Sequence, residues 1–305
     1  MEDHLSSRSY RDEGDYWAIR DLLLSTYPIT PTGFNWEIRR WDGWMFHREK
    51  PFTVSRLAEL VRVWEVGGQV VGAIHPEGVG DATLQLHPDY RHIESDMIAR
   101  AVNRLSIPME DGRHKLDTFV FEYDALRHRL LQEHGFERTT DLLVTRRLRF
   151  GSRPLPEPEI ADGYELRATR PAEVDYQRVA DIINAGFGRD SHSSAEVKAF
   201  MTGSPSFRHD LDLVAEAGDG SFAAYVGLTL DDVNQRGIVE PVCTHPKHLR
   251  LGLARALIQE GLRRLRDLGV TDVYVDTGDM IPANRLYESV GFTEAYTSYA
   301  WRKVS

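Results

Sequence analysis

Two stretches of the chain open with the same dipeptide and run into a similar helical pattern, "HPDYRHIESDMIA" at 87–99 and "HPKHLRLGLARAL" at 245–257. A second matching pair, "EHGFER" at 133–138 and "SVGFTE" at 289–294, follows at nearly the same spacing. Recurrence at a constant spacing is typical of an internal duplication. The chain is therefore predicted to fold as two similar α/β halves, against the alternative of two unrelated α/β domains that share a dipeptide by chance.

Alternating and helical hydrophobic patterns recur in the same order in both halves. In the first half they predict helices at 15–27 and 35–47, strands at 60–66 and 69–75 joined by a Gly67-Gly68 hairpin, a helix at about 92–106, a strand at 117–123, a helix and a last strand. In the second half they predict a strand at 164–169, two helices, two strands, a strand at 237–244, a helix at 252–268, a strand at 272–277, a short helix and a last strand.

The stretch "GSRPLPEPEIADG", 151–163, has three prolines, two glycines and no apolar periodicity, which is typical of an extended linker. A chain of 305 residues suits one large or two ordinary domains. We expect a domain over 1–150, a linker over 151–162 and a second domain over 163–305.

Composition excludes several classes of protein. Acidic residues outnumber basic ones in both halves, and the net charge is −10, so nucleic acid is not an expected partner. No apolar run reaches the length of a membrane span, and the first residues lack the apolar core of a signal peptide. The single cysteine, Cys243, excludes an intrachain disulfide, and a reducing cytoplasm is the expected location.

The turn "LRLGLARAL" enters a helix directly after a predicted strand. The first N–H groups of a helix lack internal partners and, with the helix dipole, favour an anion. Gly252 and Ala254 keep side chains away from these groups, while Lys247, Arg250 and Arg255 add positive charge. Small residues at a helix start are also common for packing, so this turn alone does not establish a site. The chain has neither the nucleotide P-loop motif nor the Gly-x-Gly-x-x-Gly dinucleotide motif.

The second half, with its Gly/Ala turn and "LYESVGF" at 286–292, resembles the GNAT N-acetyltransferase superfamily, and the whole chain resembles its tandem members. The resemblance implies an α/β (α+β) fold of two GNAT-like domains, each a mixed, mostly antiparallel sheet flanked by helices. It also implies transfer of an acetyl or short acyl group from acetyl-CoA (coenzyme A) to a primary amine. The acceptor would be a small molecule or a peptide N-terminus, and attack would be direct in a ternary complex.

The resemblance also implies which residues bind the cofactor, through the turn and through the backbone of the preceding strand. They are Val242, Cys243, Thr244, Arg250, Leu251, Gly252, Leu253, Ala254, Arg255 and Asn284. The chain departs from the family pattern at Leu249, where Arg or Gln is usual, and at Met280, where many members carry Asn.

Two residues are catalytic candidates by the same resemblance. Tyr287 would protonate the leaving thiolate, and Glu240 would deprotonate the amine directly or through water. Tyr287 can also be read as a packing aromatic and Glu240 as a solvent-facing strand residue. Pro241 beside Glu240 predicts a bulge. Cys243 could in principle accept an acyl group, but its neighbours favour a cysteine of the strand core.

No metal site is predicted, because the histidines show no metal-binding spacing along a helix. His192 and His209 lie in loops where members of the superfamily bind acceptors, and neither is assigned a role. Tryptophans 36, 41 and 44 fit helix packing better than a ligand cage.

The first half is predicted not to bind the cofactor. Glu94 and Asp96 stand where Gly252 and Ala254 stand in the second half, and two carboxylates would repel a pyrophosphate. Leu131 stands in place of Tyr287. The alternative functions are a non-catalytic acyl-CoA sensor or scaffold and a purely structural protein. The identity of the acceptor, the acyl-chain length and the oligomeric state are not predicted.

Overall fold

The computed structural model of the chain describes residues 4–152 and 154–305. Its strands are β1 Ser6–Ser9, β2 Arg62–Val66, β3 Gln69–His75, β4 Thr83–Leu86, β5 Ile107–Pro108, β6 His114–Phe121, β7 Glu137–Arg149, β8 Tyr164–Ala168, β9 Asp212–Ala217, β10 Phe222–Asp231, β11 Arg236–Thr244, β12 Asp272–Thr277 and β13 Glu294–Val304. Its α-helices are α1 Glu13–Thr26, α2 Ile38–Phe46, α3 Val54–Leu60, α4 Glu94–Leu105, α5 Ala125–Glu133, α6 Glu173–Phe187, α7 Ser194–Gly203, α8 Leu253–Asp267 and α9 Ile281–Ser289.

The chain forms two compact units, and neither is a continuous stretch of sequence. The first unit comprises Met1–Ile38, Phe52–Val144 and Tyr296–Ser305. The second unit comprises Arg39–Pro51 and Thr145–Ala295. The units therefore differ from the division at 151–162 expected from sequence: residues 39–51 belong with the second half of the chain, and the last ten residues belong with the first.

In the first unit, β1 to β4 form an antiparallel sheet in sequence order. Gly67 and Gly68, both with positive φ, make the tight β2–β3 turn that the sequence predicts. A second group of strands includes β6, which pairs antiparallel with β13. The core of this unit contains Trp64, Met97 and Ile98, so the apolar face of α4 is buried.

In the second unit the strand order is β7-β12-β11-β10-β9-β8, where β7 contributes its residues from Thr145 onward. The pairs β8–β9, β9–β10 and β10–β11 are antiparallel, and β11–β12 is parallel. The sheet is thus mixed and mostly antiparallel, as the sequence predicts.

Helices pack on the sheet of the second unit and form two separate apolar clusters with it. One cluster joins α8, through residues such as Leu257 and Leu262, to alternate residues of β9, β10 and β11. The other joins α6 and α7 to side chains that include Tyr225 and Cys243. Because successive strand residues point to opposite faces, one sheet serves both clusters. No helix in the described part of the chain is long and apolar enough to span a membrane.

Candidate functional site

The pairing of β11 with β12 ends partway along both strands of the second unit, and the unpaired stretch beyond it is called here the gap between them. Their parallel ladder runs from Arg236↔Asp272 to Ile238↔Tyr274, whereas β11 continues to Thr244. On its other edge β11 stays paired with β10 as far as Thr244, and the N–H of His245 donates to the carbonyl of Ala223 at 2.9 Å.

The alternation of backbone groups along a strand decides which residues of β11 face this gap. Because His245 directs its N–H toward β10, the neighbouring residue Thr244 directs its N–H and C=O toward the opposite edge, and so does Val242. These groups are hydrogen-bonding partners for an extended ligand in the gap. Binding of the cofactor by the backbones of Val242 and Thr244 stays a prediction, and this orientation is compatible with it.

A bulge lies in β11 just after its pairing with β12 ends. The β10–β11 register shifts between Val226 and Leu228, opposite Glu240 and Pro241, whose peptide bond is cis. This confirms the bulge predicted from Pro241. A Cβ on Gly227 would lie 2.7 Å from the Glu240 carbonyl oxygen, so only glycine allows this close approach of the two backbones.

The start of α8 forms the second part of the site. His245 caps a 3-10 turn over Pro246–His248, its Nδ1 accepting the N–H of Lys247 at 3.1 Å. Gly252 follows as the N-cap of α8 with φ +76°, a left-handed conformation that favours glycine. Among the described residues, no side chain caps this end of the helix. Its first N–H groups therefore remain available to a ligand.

The predicted turn residues divide by burial. Arg250, Leu251 and Gly252 are exposed, Ala254 is half-buried, and Leu253 is buried in the core. The exposed Arg255 extends to α9 and donates to Ser289 Oγ at 2.8 Å. The predicted turn is therefore an accessible helix N-terminus with basic side chains beside it.

Tyr287 is buried on α9, and its ring makes an edge contact with Phe292 at 6.0 Å. Burial, with a smaller contribution from the charges of Glu240 and Asp276, raises the pKa of the Tyr287 hydroxyl well above its ordinary value. The hydroxyl therefore keeps its proton through the neutral range. The catalytic roles of Tyr287 and Glu240 stay predictions.

Cys243 points into the cluster beneath α6, where its Sγ lies 3.7 Å from the Ile182 carbonyl oxygen. Burial raises the pKa of its thiol to about 12. A thiol of that pKa supplies almost no thiolate at neutral pH. The structure therefore confirms the prediction of a strand-core cysteine.

Asn284, on α9, has partners in the loop before that helix and on β7. Its amide nitrogen donates to the Gly278 and Met280 carbonyls at 3.0 Å, and its oxygen accepts from Arg146 Nε at 2.7 Å. Binding of the cofactor by Asn284 stays a prediction. Sequence reasoning missed Arg146, a buried side chain that also pairs with Glu288 at 2.8 Å and so fixes the helix that carries Tyr287.

The corresponding helix start in the first unit is built differently. Glu94, fully buried at the start of α4, accepts from Arg91 and Arg127. Asp96 accepts from the indole N–H of Trp64 at 3.1 Å, and Leu131 is buried. A carboxylate held between two guanidinium groups occupies the position where the second unit has Gly252.

The fold also assembles a trio that no spacing in the sequence reveals. His47, His192 and Glu196 lie with their ligand atoms within 4.8 Å of one another. His192 and Glu196 are four residues apart, but His47 comes from the distant segment 39–51. The expectation of no metal site rested on spacing within single helices and could not include such a trio.

These features, a mixed, mostly antiparallel sheet beside an uncapped helix start, define a mixed α/β domain of the kind that the resemblance implies. The sequence model of the acetyltransferase (GNAT) family matches residues 178–292. A mycothiol acetyltransferase of Thermomonospora curvata is 34% identical over 236 residues, covering 74% of this chain and 76% of the relative. The chain belongs to the GNAT acetyltransferase family.

Two further comparisons define the extent of the likeness. A mycothiol acetyltransferase of Kineococcus radiotolerans is 32% identical, and the match covers 53% of this chain but only 54% of that relative's length. The solved tandem GNAT protein from the clavulanic acid biosynthesis pathway is 15% identical, with a TM-score of 0.67 over 99% of this chain and 98% of that one. At that identity the likeness concerns the fold alone. Together they confirm the resemblance to the GNAT family and the two-domain α/β fold expected from sequence.

Proposed function

We propose that the second unit transfers an acetyl group from acetyl-CoA to a primary amine. The observation that carries this proposal is the gap between β11 and β12, because its open strand edge leads toward the uncapped start of α8. The backbone groups of Val242 and Thr244 suit an extended amide-containing arm. The N–H groups that follow Gly252 suit a pyrophosphate, assisted by Arg250 and Arg255.

When bound, acetyl-CoA supplies an acetyl group activated as a thioester. Glu240, on the bulge at the mouth of the gap, accepts the proton of the attacking amine, directly or through one water. Tyr287, held protonated by burial, donates its proton toward the leaving sulfur. Because the Cys243 thiol is buried with a raised pKa, attack by the amine without an acyl-cysteine intermediate is the mechanism that the residues support.

The acceptor is proposed to be a small molecule with a primary amine. Relatives that share about a third of their aligned residues with this chain are named mycothiol acetyltransferases. A net charge of −10 favours an ammonium-bearing acceptor over an anionic one. The first unit is proposed to bind no cofactor, since Glu94 already occupies its helix start with two arginine partners.

Calorimetric titration with acetyl-CoA tests the pyrophosphate site at the start of α8. It compares a matched pair of variants, Gly252→Asn and Gly252→Asp. Both residues tolerate the left-handed backbone and cap helices well, so the pair differs mainly in one negative charge. Wild type should bind one acetyl-CoA per chain. The Asp variant should bind at least about tenfold more weakly than the Asn variant, a loss of about 1.4 kcal/mol.

Thiol release with a panel of primary amines then separates enzyme from sensor. A protein that binds acetyl-CoA at one site but releases free thiol with no amine would be the non-catalytic sensor or scaffold. Equal affinities of the Asn and Asp variants would show that the start of α8 does not bind the pyrophosphate. Two sites per chain would overturn the assignment of the first unit.

A further inference from the structure

A His-His-Glu cluster lies within the second unit, where the end of α2 meets α7. His47 follows α2 directly, His192 lies in the loop between α6 and α7, and Glu196 is in the first turn of α7. His47 Nδ1 is 2.6 Å from Glu196 Oε1, and His192 Nδ1 is 3.3 Å from Glu196 Oε2. The two imidazole rings meet edge to face, 5.1 Å apart. Three donor atoms therefore converge on one small volume.

The hydrogen bonding of His192 is incomplete. Both ring nitrogens are buried, and neither has a hydrogen-bond partner among the described residues. The short distance from Nδ1 to Glu196 lacks hydrogen-bond geometry. A buried polar group without a partner costs about 1–3 kcal/mol. The His192 ring lies beside a carboxylate and a second imidazole. Its nitrogens therefore need a partner that the described residues do not provide.

The surrounding structure holds the three side chains in place. The Asn184 amide bonds the His192 backbone twice, donating to its carbonyl at 2.8 Å and accepting its N–H at 3.0 Å. Ser193 caps α7 by accepting the N–H of Glu196 at 3.2 Å. The Phe200 ring packs 5.5 Å from that of His47. These contacts fix the backbone that carries His192 and Glu196, and the ring contact limits the movement of His47.

We propose that His47, His192 and Glu196 bind one Zn²⁺ ion. Two imidazole nitrogens and one carboxylate oxygen are donors that zinc prefers, whereas calcium and magnesium prefer oxygen alone. Zinc bonds of about 2.0–2.1 Å in tetrahedral geometry place ligand atoms about 3.3 Å apart. The His47–Glu196 distance would open by less than about 1 Å to reach that value. Three protein ligands leave a fourth position for water or a small ligand.

The ion would fasten the segment 39–51 to α7. His47 and Glu196 are 149 positions apart in sequence, so a shared ion would close a long loop and stabilise the second unit. This proposal does not depend on the transferase activity. It assigns a ligand to residues that the proposed acetyl transfer does not use.

The test uses the full chain without a histidine tag, treated with a chelator and then titrated with Zn²⁺ by calorimetry. Wild type should bind one Zn²⁺ per chain. His47→Ala, His192→Ala and Glu196→Gln should each lose at least about 100-fold in affinity, and Asn184→Ala about tenfold. His209→Ala is the matched control, a half-buried histidine of the same unit outside the cluster, and should bind as wild type does.

Spectroscopy and stability keep the test decisive if a variant folds poorly. Co²⁺ in place of Zn²⁺ should give strong visible absorption typical of four-coordinate metal in wild type, and none in Glu196→Gln. Zn²⁺ at 100 times its Kd should raise the free energy of unfolding by about 2.7 kcal/mol. Absence of stoichiometric Zn²⁺ binding by wild type, or equal binding by all variants, would show a hydrogen-bonded His-Glu pair only and overturn the proposal. Acetyl-CoA titrations on the same samples report the transferase proposal separately.

Discussion

At the scale of single residues, Tyr287 is the sharpest test of the chemistry. Its side chain makes no hydrogen bond in the described part of the chain, and its ring packs against Phe292. Tyr287→Phe keeps the ring packing and removes only the hydroxyl group. We expect kcat to fall about 100-fold, within the range for loss of a general acid, with the KM for acetyl-CoA nearly unchanged. Steady-state kinetics by thiol release and a thermal melt measure both effects.

The pH profile adds a second readout for Tyr287. Because burial raises its pKa above the ordinary 10.0, the hydroxyl stays protonated, and the wild-type kcat should show no alkaline decline from this residue below about pH 10. Leu286→Met, a neighbouring apolar change on the same helix, serves as the control and should keep kcat within about twofold. If Tyr287→Phe also kept wild-type kcat, the residue would be a packing aromatic, the alternative left open by the sequence.

At the scale of elements, the bulge that opens the site depends on Gly227 of β10. An added Cβ would meet the Glu240 carbonyl oxygen at 2.7 Å and Pro241 Cδ at 3.0 Å, and both atoms are held by the backbone or a ring. Gly227→Ala should therefore lower the free energy of unfolding by about 1–3 kcal/mol. It should also lower kcat by displacing Glu240. Urea denaturation and thiol release provide the two measurements.

Gly218 provides the matched control for this prediction. It lies in the β9–β10 turn, and a Cβ built on it meets nothing within 4 Å. Gly218→Ala should leave the urea midpoint and kcat unchanged. A Gly227→Ala variant as stable and active as wild type would show that the two strands can separate at the bulge without consequence for Glu240.

Local signals in the sequence predict the elements well and their partners poorly. The α8 prediction of 252–268 matches Leu253–Asp267, and the strand over 272–277 matches β12, because periodicity and a small-residue turn are local features. The pairing of β13 with β6, in which Tyr299 lies opposite Val120, has no local signal. The alternation of apolar and polar residues predicts which face of a strand is buried, but it does not predict which strand pairs with it.

The same limit applied to the site. The bulge and the left-handed glycine have direct sequence signs, in Pro241 and Gly252. Asn284 does not: its partners, which include Arg146, depend on how β7 packs beside α9. The His47 trio depends on a segment that joins the second unit from far away in sequence. Such contacts follow from tertiary packing and could not be predicted from spacing.

At the scale of the whole molecule, the two units share an interaction as well as an order of elements. In each, an arginine of the first strand bonds an aspartate in the first turn of the next helix and a glutamate of the following hairpin. The sets are Arg8, Asp15 and Glu65 in the first unit and Arg167, Asp175 and Glu216 in the second. His87 and His245 also cap matching turns, each accepting an N–H two residues ahead. The sequence argument for duplication used two matching motif pairs and the order of elements, and these contacts extend it.

Two units with separate cores predict an asymmetric response to acetyl-CoA. If the ligand binds only the second unit, acetyl-CoA at 100 times its Kd should slow exchange of the most protected amides there by up to about 100-fold, equivalent to about 2.7 kcal/mol. Amides of the first core, around Met97 and Ile98, should change far less. Residues 39–51 should follow the second unit and residues 296–305 the first. Hydrogen exchange with mass spectrometry resolves these segments. Gly252→Asp at the same acetyl-CoA concentration is the control: with about tenfold weaker binding, its protection should fall from about 100-fold to about 10-fold or less. Equal protection in both cores would mean that they open as one cooperative body or that both bind the ligand, and the one-site calorimetry separates these two outcomes.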